Sequence, residues 1–397
     1  MISNEMIKSI QFGIYSEKDI EKLSVCEVNN KKLEMDLPHS VYDARMGVLV
    51  HNKKCITCKK DKNKCPGHFG HIKLKEIIIH PLFYKYVLHF LKCICIKCSK
   101  LLLIQDQIDL YNLNKKNGYQ RFKSILDIVT KKNNICHHCK IIQPKKMLQD
   151  NQIVLSYKNE ENKLIIKDEE IFNIFNNITD ETIKMLGLNP ENIHPKNLIL
   201  THLLVIPPVS RPCVMADGNA YDDDLTTQYL EIIKLNNYLQ DENISETKRY
   251  KYIQSLKFRV RCLFDNSHEK AKHTNGRPMK CIKKRISGKE GQVRANLMGK
   301  RVNKSARTVI GPDPTLRVNE IALPKTIANI LTIPITINNY NIKLLQKIVN
   351  DQKAKCVIRN GNRFNLEYAC FYNGTPLHNN DIVIHAYIKR KKEVKEK

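Results

Sequence analysis

The sequence predicts a multidomain α+β protein, and its length, its mixed helical and hairpin patterns and its cysteine spacing are the observations behind this prediction. With 397 residues the chain is too long for one small domain, so two or three domains are the ordinary expectation. Hydrophobic residues make up 42% of the chain and charged residues 27%, which is normal for a protein with a sizeable core.

Apolar residues at helical spacing place the main helices. We expect a helix over residues 119–129, two short helices within 168–186, and an amphipathic helix over 225–239. Residues 246–264 should form a further helix that packs against the helix at 225–239. Thr179 is a plausible start for the second short helix.

The remaining segments carry other patterns. Residues 72–91 mix strand-like and helical spacing. The run VIPPVSRP (205–212) should be rigid and extended, because its prolines fix φ and block a helix. Residues 356–385 alternate short apolar runs with Asn-Gly turns, which predicts small β-hairpins, and the charged tail KRKKEVKEK should be frayed.

The net charge of +27 indicates a polyanionic partner, with nucleic acid as the first candidate and an anionic membrane as the alternative. The most apolar run, 77–91, contains His80, Pro81, Lys85 and His89 and is too short and too polar to span a bilayer. The N-terminus lacks the features of a signal peptide. We therefore expect an intracellular soluble protein without membrane partners, whose cysteines are thiols or metal ligands.

A first cysteine cluster lies in CITCKKDKNKCPGHFGH (55–71). Cys55 and Cys58 form a Cys-x2-Cys pair, and Cys65 with His68 forms a Cys-x2-His pair. Two such pairs present four ligands of the type that structural zinc prefers. His68 has the ligand spacing, so we expect His71 to have a packing or hydrogen-bonding role.

A second cluster pairs Cys95-x2-Cys98 with Cys136-x2-Cys139, and zinc would close the loop between them. Cys93 competes with Cys95 for this role, and His137 and His138 are alternative ligands. Neither cluster leaves a position open to water, which favours structural over catalytic zinc. The other cysteines are most simply core residues: Cys26, Cys213, Cys262, Cys281, Cys356 and Cys370.

A basic segment follows at 271–310, with twelve lysines and arginines, one acidic residue and a net charge of +11. It lacks the GxxxxGK[ST] spacing of a phosphate loop. Arginines among glycines suit contacts with successive backbone phosphates, and the alternative is a solvated basic face. Arg294, Arg301 and Arg307 are interleaved with apolar residues, which favours partial burial beside an anion such as phosphate.

Three consecutive acidic residues, Asp222, Asp223 and Asp224, precede the helix expected at 225–239. An N-cap with acids at the positive end of the helix dipole is favoured over a magnesium site, because a metal loop would space its carboxylates alternately.

A family resemblance emerges from the order of the motifs along nearly the whole chain. These motifs are IKSIQFGIYSEKDI (7–20), YDARMG (42–47), KCPGHFGHI (64–72), CIKCSKLLL (95–103), DDDLT (222–226), GRPMK (276–280) and GKEGQVRANLMGKRVNKSARTVIGPDP (288–314). The chain resembles the N-terminal third or quarter of the largest subunit of multisubunit DNA-directed RNA polymerase, in the eukaryotic, archaeal and large-DNA-virus branch.

The resemblance implies a role for each part of the chain. Residues 1–305 would form a clamp core with two zinc sites (about 50–145), a lid (about 215–224), a rudder (about 262–278) and a template-gripping switch segment (about 286–307). Residues 306–397 would be the dock and the beginning of a β-rich active-site domain of the double-psi barrel type. The implied zinc ligands are Cys55, Cys58, Cys65, His68, Cys95, Cys98, Cys136 and Cys139, and the implied nucleic-acid contacts are Lys289, Arg294, Lys300, Arg301, Lys304 and Arg307.

The sequence departs from the family pattern in three respects. Ala220 and Tyr221 replace the usual Arg-Gly of the lid, and the second zinc site is compact. The catalytic signature Asn-Ala-Asp-Phe-Asp-Gly-Asp, which would hold the catalytic magnesium, occurs nowhere in the chain. We therefore expect no nucleotidyltransferase activity from this chain alone, and a split gene, an intron or intein, or a truncation would explain the missing motif.

The expected partners are the remaining part of the largest subunit, the second-largest and smaller subunits, template DNA and the RNA–DNA hybrid. The expected location is the nucleus for a cellular protein, and the virion or cytoplasmic viral factory for a viral one. The alternatives are a free-standing zinc-containing nucleic-acid-binding protein and, less favoured, a metallohydrolase.

Overall fold

The computed structural model describes residues 13–50, 52–132, 135–149, 152–157, 163–216, 219–241, 243–303, 305–324, 326–327, 331–351, 353–366 and 376–386. The chain divides into two compact units, Met1–Arg294 and Ala295–Lys397. None of the helices in these described ranges is long and apolar enough to cross a membrane.

The first unit mixes helices and short strands. Its α-helices among the described residues are α1 (Glu17–Leu23), α2 (Tyr84–Cys93), α3 (Gln105–Leu110), α4 (Gly118–Lys132), α5 (Asp168–Asn176), α6 (Asp180–Met185), α7 (Asp224–Gln240), α8 (Glu246–Phe264) and α9 (Ile282–Ile286). Its strands are β1 (Ser24–Glu27), β2 (Phe69–Ile79), β3 (Lys145–Gln149), β4 (Gln152–Ser156), β5 (Leu164–Ile165), β6 (Ile199–Val205), β7 (Val214–Ala216) and β8 (Asn219–Tyr221). The predicted mixture of helix and strand is therefore confirmed.

The helices predicted from periodicity and capping residues are confirmed at α4, α5, α6, α7 and α8. The Thr179 hydroxyl accepts a hydrogen bond from the N–H of Thr182 and begins α6. The Asp223 carboxylate accepts one from the N–H of Leu225 at 2.8 Å and begins α7. Side-chain oxygens at this position satisfy a backbone donor that has no partner within the helix. The N-cap interpretation of the three aspartates is thus confirmed for Asp223.

A three-stranded sheet forms the centre of the unit, in the order β1-β2-β6. β1 pairs parallel to β2, and β2 pairs antiparallel to β6 with Ile72 opposite Leu203. The mixed periodicity of residues 72–91 therefore arises because the strand β2 is followed there by the helix α2. One apolar core lies between this sheet and the hairpin of α7 and α8, with Ile232 and Leu256 fully buried in it.

A second apolar core gathers α2, α4, α5 and α6. The rings of Phe90 and Phe122 lie 4.8 Å apart, and Phe175 packs edge-on to Phe90 at 6.3 Å. This core supports the C-terminal end of α2, from which the second cysteine cluster begins.

The proline-rich connector was predicted to be rigid and extended, and this prediction is wrong for Pro208–Ser210, which forms a 3-10 turn. A proline in the first turn of a helix loses no hydrogen bond, because that N–H would have no partner. The connector is fixed by Arg211, which is fully buried between the rings of Tyr42 and Tyr229, 5.5 and 5.6 Å away. Its guanidinium donates to the Ile206 carbonyl at 2.8 Å.

The second unit contains a four-stranded antiparallel sheet and a helix. Its described elements are β9 (Thr332–Thr336), α10 (Ile342–Asn350), β10 (Ala354–Arg359), β11 (Asn362–Asn365) and β12 (Ile382–Ala386), and the strand order is β11-β10-β12-β9. Asn360 and Gly361 have positive φ and close the β10–β11 hairpin, as the Asn-Gly pattern predicts. The second Asn-Gly pair, Cys370 and the charged tail lie outside the described residues.

Candidate metal centres and nucleic-acid interface

The structure brings Cys55, Cys58, Cys65 and His68 together, with their ligand atoms within 4.8 Å of one another. The Cys58 and Cys65 sulfurs are 3.5 Å apart, and the Cys65 sulfur is 3.8 Å from His68 Nε2. Tetrahedral zinc with Zn–S bonds of about 2.3 Å separates its sulfurs by about 3.8 Å. Three thiols and one imidazole at this spacing therefore fit one zinc ion.

The three Cys-x2-Cys pairs lie in three loops that share one tight backbone conformation. The Cys55 N–H donates to the Lys60 carbonyl at 3.0 Å, and the Lys59 N–H donates to the Cys55 carbonyl at 2.9 Å. The loops that begin at Cys95 and Cys136 repeat both bonds. The residue after the second cysteine has positive φ in each loop: Lys59 at +58°, Ser99 at +54° and Lys140 at +56°. Since none of the three is glycine, sequence alone gave no indication of these left-handed turns.

Gly67 fixes the first cluster against the connector. Its φ is +82°, and a Cβ at this position would lie 2.6 Å from Pro207 Cβ. Its N–H points to the Cys65 sulfur at 3.4 Å. Positive φ and the close approach both require glycine here.

His71 lies on β2, outside the first ligand group. Its Nδ1 is 2.7 Å from the Ser24 hydroxyl, and its ring is tilted against that of His202 at 5.4 Å. Burial lowers the pKa of His71, with the neighbouring His202 as a smaller cause. His71 thus hydrogen-bonds and packs beside the cluster, while His68 faces the thiols.

The pKa values of two thiols in the first cluster are shifted in opposite directions. Hydrogen bonding to His68 lowers the pKa of Cys58 to about 6, whereas burial raises that of Cys65 to about 11. A thiolate thus forms readily at Cys58. Ionising Cys65 as well requires a nearby cation, and a bound divalent metal deprotonates coordinating thiols outright.

Cys95, Cys98, Cys136 and Cys139 form a second group, again with ligand atoms within 4.8 Å. The sulfurs of Cys95 and Cys139 are 3.5 Å apart, and those of Cys98 and Cys136 are 3.6 Å apart. Cys93 is instead completely buried in the apolar core, and burial raises its pKa to about 12. The described geometry therefore brings Cys95, not Cys93, into this group, and His137 and His138 are not among its members.

Two side chains around the second group were missed by sequence reasoning. Gln143 Nε2 lies 3.2 Å from the Cys95 sulfur. Lys146 is buried, and its ammonium donates to the carbonyls of Leu91 and Ile94 at the end of α2, at 2.6 and 2.9 Å. Burial lowers the pKa of Lys146 to about 8, while nearby thiols oppose that change. Neighbours of this kind orient ligands and balance their charge, but Gln143 and Lys146 carried no recognisable spacing.

The predicted nucleic-acid contacts are exposed. This holds for Lys289, Arg294, Lys300, Arg301 and Arg307, whereas Lys304 lies outside the described residues. The expectation of partly buried arginines is wrong, because the interleaved apolar residues are exposed as well. Leu297 is 68% and Val302 is 76% exposed. The described part of this segment thus has its cationic and large apolar side chains accessible.

The part of the basic segment before Lys289 is held by acidic residues. The Lys283 ammonium is 2.6 Å from an Asp265 oxygen, and this contact lowers the pKa of Asp265 to about 2. Arg285 forms an ion pair with Asp223, the residue that caps α7. Lys283 is thus exposed to solvent but paired with Asp265.

The loop between α8 and α9 is closed by Asn266, which sequence reasoning did not single out. Its buried amide donates to the carbonyls of Ala271 and Met279, both at 2.9 Å, and accepts from the Ala271 N–H at 3.0 Å. Asp224 joins this loop to α7, since its carboxylate lies 3.0 Å from His273 Nε2 and accepts from the Lys280 N–H at 2.7 Å. Although burial opposes it, these bonds lower the pKa of Asp224.

Residues 214–221 form a hairpin of β7 and β8, with Val214 opposite Tyr221. The turn residues 217 and 218 lie outside the described residues. The next residue, Asp222, accepts a hydrogen bond from the Tyr42 hydroxyl at 2.7 Å. The hairpin thus leads directly into the cap of α7.

Comparison with known proteins defines the class of this molecule. Residues 4–297 match the family described as RNA polymerase Rpb1, domain 1, and residues 299–390 match RNA polymerase Rpb1, domain 2. The chain therefore belongs to the Rpb1 family, the largest-subunit family of RNA polymerases.

Relatives come from a virus, a eukaryote and an archaeon. The chain is 34% identical to the probable DNA-directed RNA polymerase II subunit RPB1 homolog of Invertebrate iridescent virus 6, over 95% of this chain and 45% of the relative. It is 38% identical to DNA-directed RNA polymerase III subunit RPC1 of Plasmodium falciparum, over 87% of this chain and 16% of the relative. It is 33% identical to DNA-directed RNA polymerase subunit Rpo1N of Sulfolobus acidocaldarius, over 92% of this chain and 44% of the relative. The chain thus spans less than half the length of each of these relatives.

Proposed function

We propose that this chain is the N-terminal portion of the largest subunit of a DNA-directed RNA polymerase and contributes its DNA clamp and template contacts. One observation carries the proposal: two consecutive Rpb1 domains match along almost the entire chain. The basic charge and the cysteine geometry are consistent with it.

The two cysteine groups would hold one structural zinc ion each, with Cys55, Cys58, Cys65 and His68 in the first and Cys95, Cys98, Cys136 and Cys139 in the second. Four protein ligands fill a tetrahedral shell, so the ions would stabilise the fold. The second ion would close the excursion from Cys98 to Cys136, which contains α3 and α4. In this proposal residues 1–305 are the clamp core.

The exposed basic residues would contact the phosphates of the template strand and of the RNA–DNA hybrid. Guanidinium groups bind phosphate oxygens through two parallel hydrogen bonds. This chemistry favours specific phosphate contacts by Arg294, Arg301 and Arg307 over a solvated basic face. Lys289, Lys300 and Lys304 would add charge. The hairpin at 214–221 falls within the proposed lid, the loop closed by Asn266 within the rudder, and residues 286–307 would be the switch segment.

The catalytic magnesium would be held outside these 397 residues, since the sequence contains no Asn-Ala-Asp-Phe-Asp-Gly-Asp motif. Phosphoryl transfer of this type depends on metal ions, so we expect activity only in an assembly. The partners would be the remaining part of the largest subunit, the second-largest subunit and smaller subunits. Residues 306–397, which lie within the second unit, would be the dock and the start of a double-psi barrel. Such an assembly would work in a nucleus or, for a virus, in a virion or cytoplasmic viral factory.

A binding experiment separates this function from that of a free-standing zinc-containing nucleic-acid-binding protein. The zinc-loaded chain is mixed with three probes of equal length: a DNA duplex, a DNA bubble and an RNA–DNA hybrid within a bubble. A clamp portion should bind weakly and prefer the hybrid-containing bubble. Tight duplex binding by the chain alone, with a steep loss of affinity on adding salt, would support the free-standing binder instead.

A further inference from the structure

A third group of metal-binding side chains lies where α1 packs beside β6, away from both cysteine groups. Glu17 and Glu21 are four residues apart and therefore share one face of α1. Both face His202 on β6, and one ligand atom from each of the three residues lies within 4.8 Å of the others. Two carboxylates and one imidazole are common ligands of divalent transition metals.

The hydrogen bonds around His202 leave one ring nitrogen without a partner. His202 Nδ1 is 3.1 Å from the Thr201 hydroxyl, and that hydroxyl donates to a Glu17 oxygen at 3.3 Å. Because the hydroxyl has a single proton, Nδ1 must supply the proton of the first contact. In the neutral form of the ring, the lone pair is then on Nε2. A ligand histidine is commonly held in this way, through its other ring nitrogen.

His202 Nε2 is buried and has no hydrogen-bond partner, and the His202 side chain is only 1% exposed. Burying a polar atom without a partner costs free energy. The nearest acidic oxygen, Oε1 of Glu21, is 3.6 Å away, which is too long for a good hydrogen bond. Two ligands held at about 2.1 Å from one ion in tetrahedral geometry are separated by about 3.4 Å. The spacing therefore fits an ion between the two atoms.

We infer that Glu17, Glu21 and His202 form a third metal site, which binds a divalent transition metal ion of the zinc or cobalt type and fastens α1 to the central sheet. Its donors are one nitrogen and two oxygens, so it differs in chemistry from the thiolate sites. Three protein ligands leave at least one coordination position free. The three side chains line a cleft of about 440 Å³ between α1, α5 and β6, which is also lined by Lys18 and Lys196.

Cobalt distinguishes this site from the cysteine groups by its spectrum. The full chain is first loaded with two equivalents of zinc, dialysed, and titrated with Co²⁺ at pH 7.5. Cobalt at Glu17, Glu21 and His202 should give weak visible bands without the intense near-ultraviolet absorption of cobalt bound to thiolates. We expect one further equivalent to bind and the melting temperature to rise with Co²⁺ concentration.

The decisive variant is Glu21→Gln, because this side chain is 52% exposed and its replacement leaves the core intact. Its Co²⁺ affinity should fall at least tenfold, and His202→Gln should abolish the third equivalent. Thr201→Val removes only the hydroxyl that orients the ring and should weaken binding about tenfold. The matched control is Glu169→Gln, since Glu169 is also an exposed acid on a helix, α5. The control should bind Co²⁺ as the unaltered chain does.

The inference is overturned if the zinc-loaded chain takes up no third equivalent at millimolar Co²⁺. It is also overturned if Glu21→Gln and Glu169→Gln bind Co²⁺ equally. The first outcome would show that the three side chains form this cluster without an ion, and the second would place the ion elsewhere on the surface.

Discussion

The cysteine groups and the exposed part of the basic segment, residues 289–310, differ in where their partners lie. Each cysteine group gathers four ligands from the chain itself and is supported by its own backbone turns. The segment 289–310 leaves its described cationic and large apolar side chains exposed. The first arrangement provides a full set of ligands for an ion, whereas the second leaves its side chains accessible to a partner. Stability and nucleic-acid binding should therefore respond to different substitutions.

Removing a zinc ligand should have the largest effect. Cys58→Ser should release one of two zinc ions and lower the melting temperature by more than 10 °C, because structural zinc contributes about 10 kcal/mol or more to folding in small domains. Cys98→Ser should release the other ion. Metal analysis and calorimetry measure both quantities.

The control for these variants is Cys213→Ser, which removes a thiol outside both groups. It should retain two zinc ions. Unchanged zinc content and melting in Cys58→Ser would show that the ligand assignment is wrong.

The backbone around the first group gives the next largest effect. Gly67→Ala should lower the free energy of unfolding by about 2–4 kcal/mol, because the alanine would need a left-handed φ and its Cβ would lie too close to Pro207. Gly276→Ala has nearly the same φ, +80°, but no atom within 4 Å of the added Cβ. It should cost only about 1–2 kcal/mol, the penalty of the left-handed conformation alone. Equal costs in denaturant titrations would mean that the approach to Pro207 is not constraining.

A substitution in the exposed segment should change binding and leave stability alone. Arg301→Ala should weaken binding of the assembled enzyme to a hybrid-containing bubble by about threefold to tenfold and reduce the salt slope by about 1. Zinc content and melting should not change. Arg363→Ala, an exposed arginine on β11, is the matched control and should bind normally. An equal loss in both variants would indicate a general charge effect instead of a specific contact.

The smallest effect is expected at the ion pair between Lys283 and Asp265, which precedes the exposed segment. Pairing with Lys283 depresses the folded-state pKa of Asp265 to about 2, below the usual value near 4. Its contribution should therefore be fully present above pH 4 and lost as the pH falls from about 4 to about 2. Because Lys283 is half exposed, we expect less than about 1 kcal/mol.

Asp265→Asn should flatten the dependence of unfolding free energy on pH in this window. Asp106→Asn, an exposed acid on α3, should leave it unchanged. If both variants give the same pH profile as the unaltered chain, the ion pair between Lys283 and Asp265 contributes nothing to stability.

Local patterns explain what the sequence could predict. The α7–α8 hairpin was placed to within about a residue, because apolar periodicity and the cap at Asp223 act within a few residues of each other. The cysteine pairs were recognisable for the same reason, since a short loop fixes their spacing. The Asn360-Gly361 turn followed from its requirement for positive φ.

Long-range contacts explain what the sequence could not predict. Glu17 and Thr201 are 184 positions apart and meet only because β6 lies beside α1. Lys146 reaches Leu91 across 55 positions. The burial of Arg294, Arg301 and Arg307 was predicted wrongly because interleaved apolar residues indicate burial only when something covers them, and the described part of this chain does not.

Co-purification tests the central claim most directly. The tagged chain is recovered from its native source at low salt, its partners are identified by mass spectrometry, and templated RNA synthesis is assayed with magnesium. We predict recovery of polypeptides that supply the Asn-Ala-Asp-Phe-Asp-Gly-Asp motif and the second-largest subunit, with RNA synthesis in the complex. Recovery of the chain alone, bound to zinc and inactive, would contradict the account.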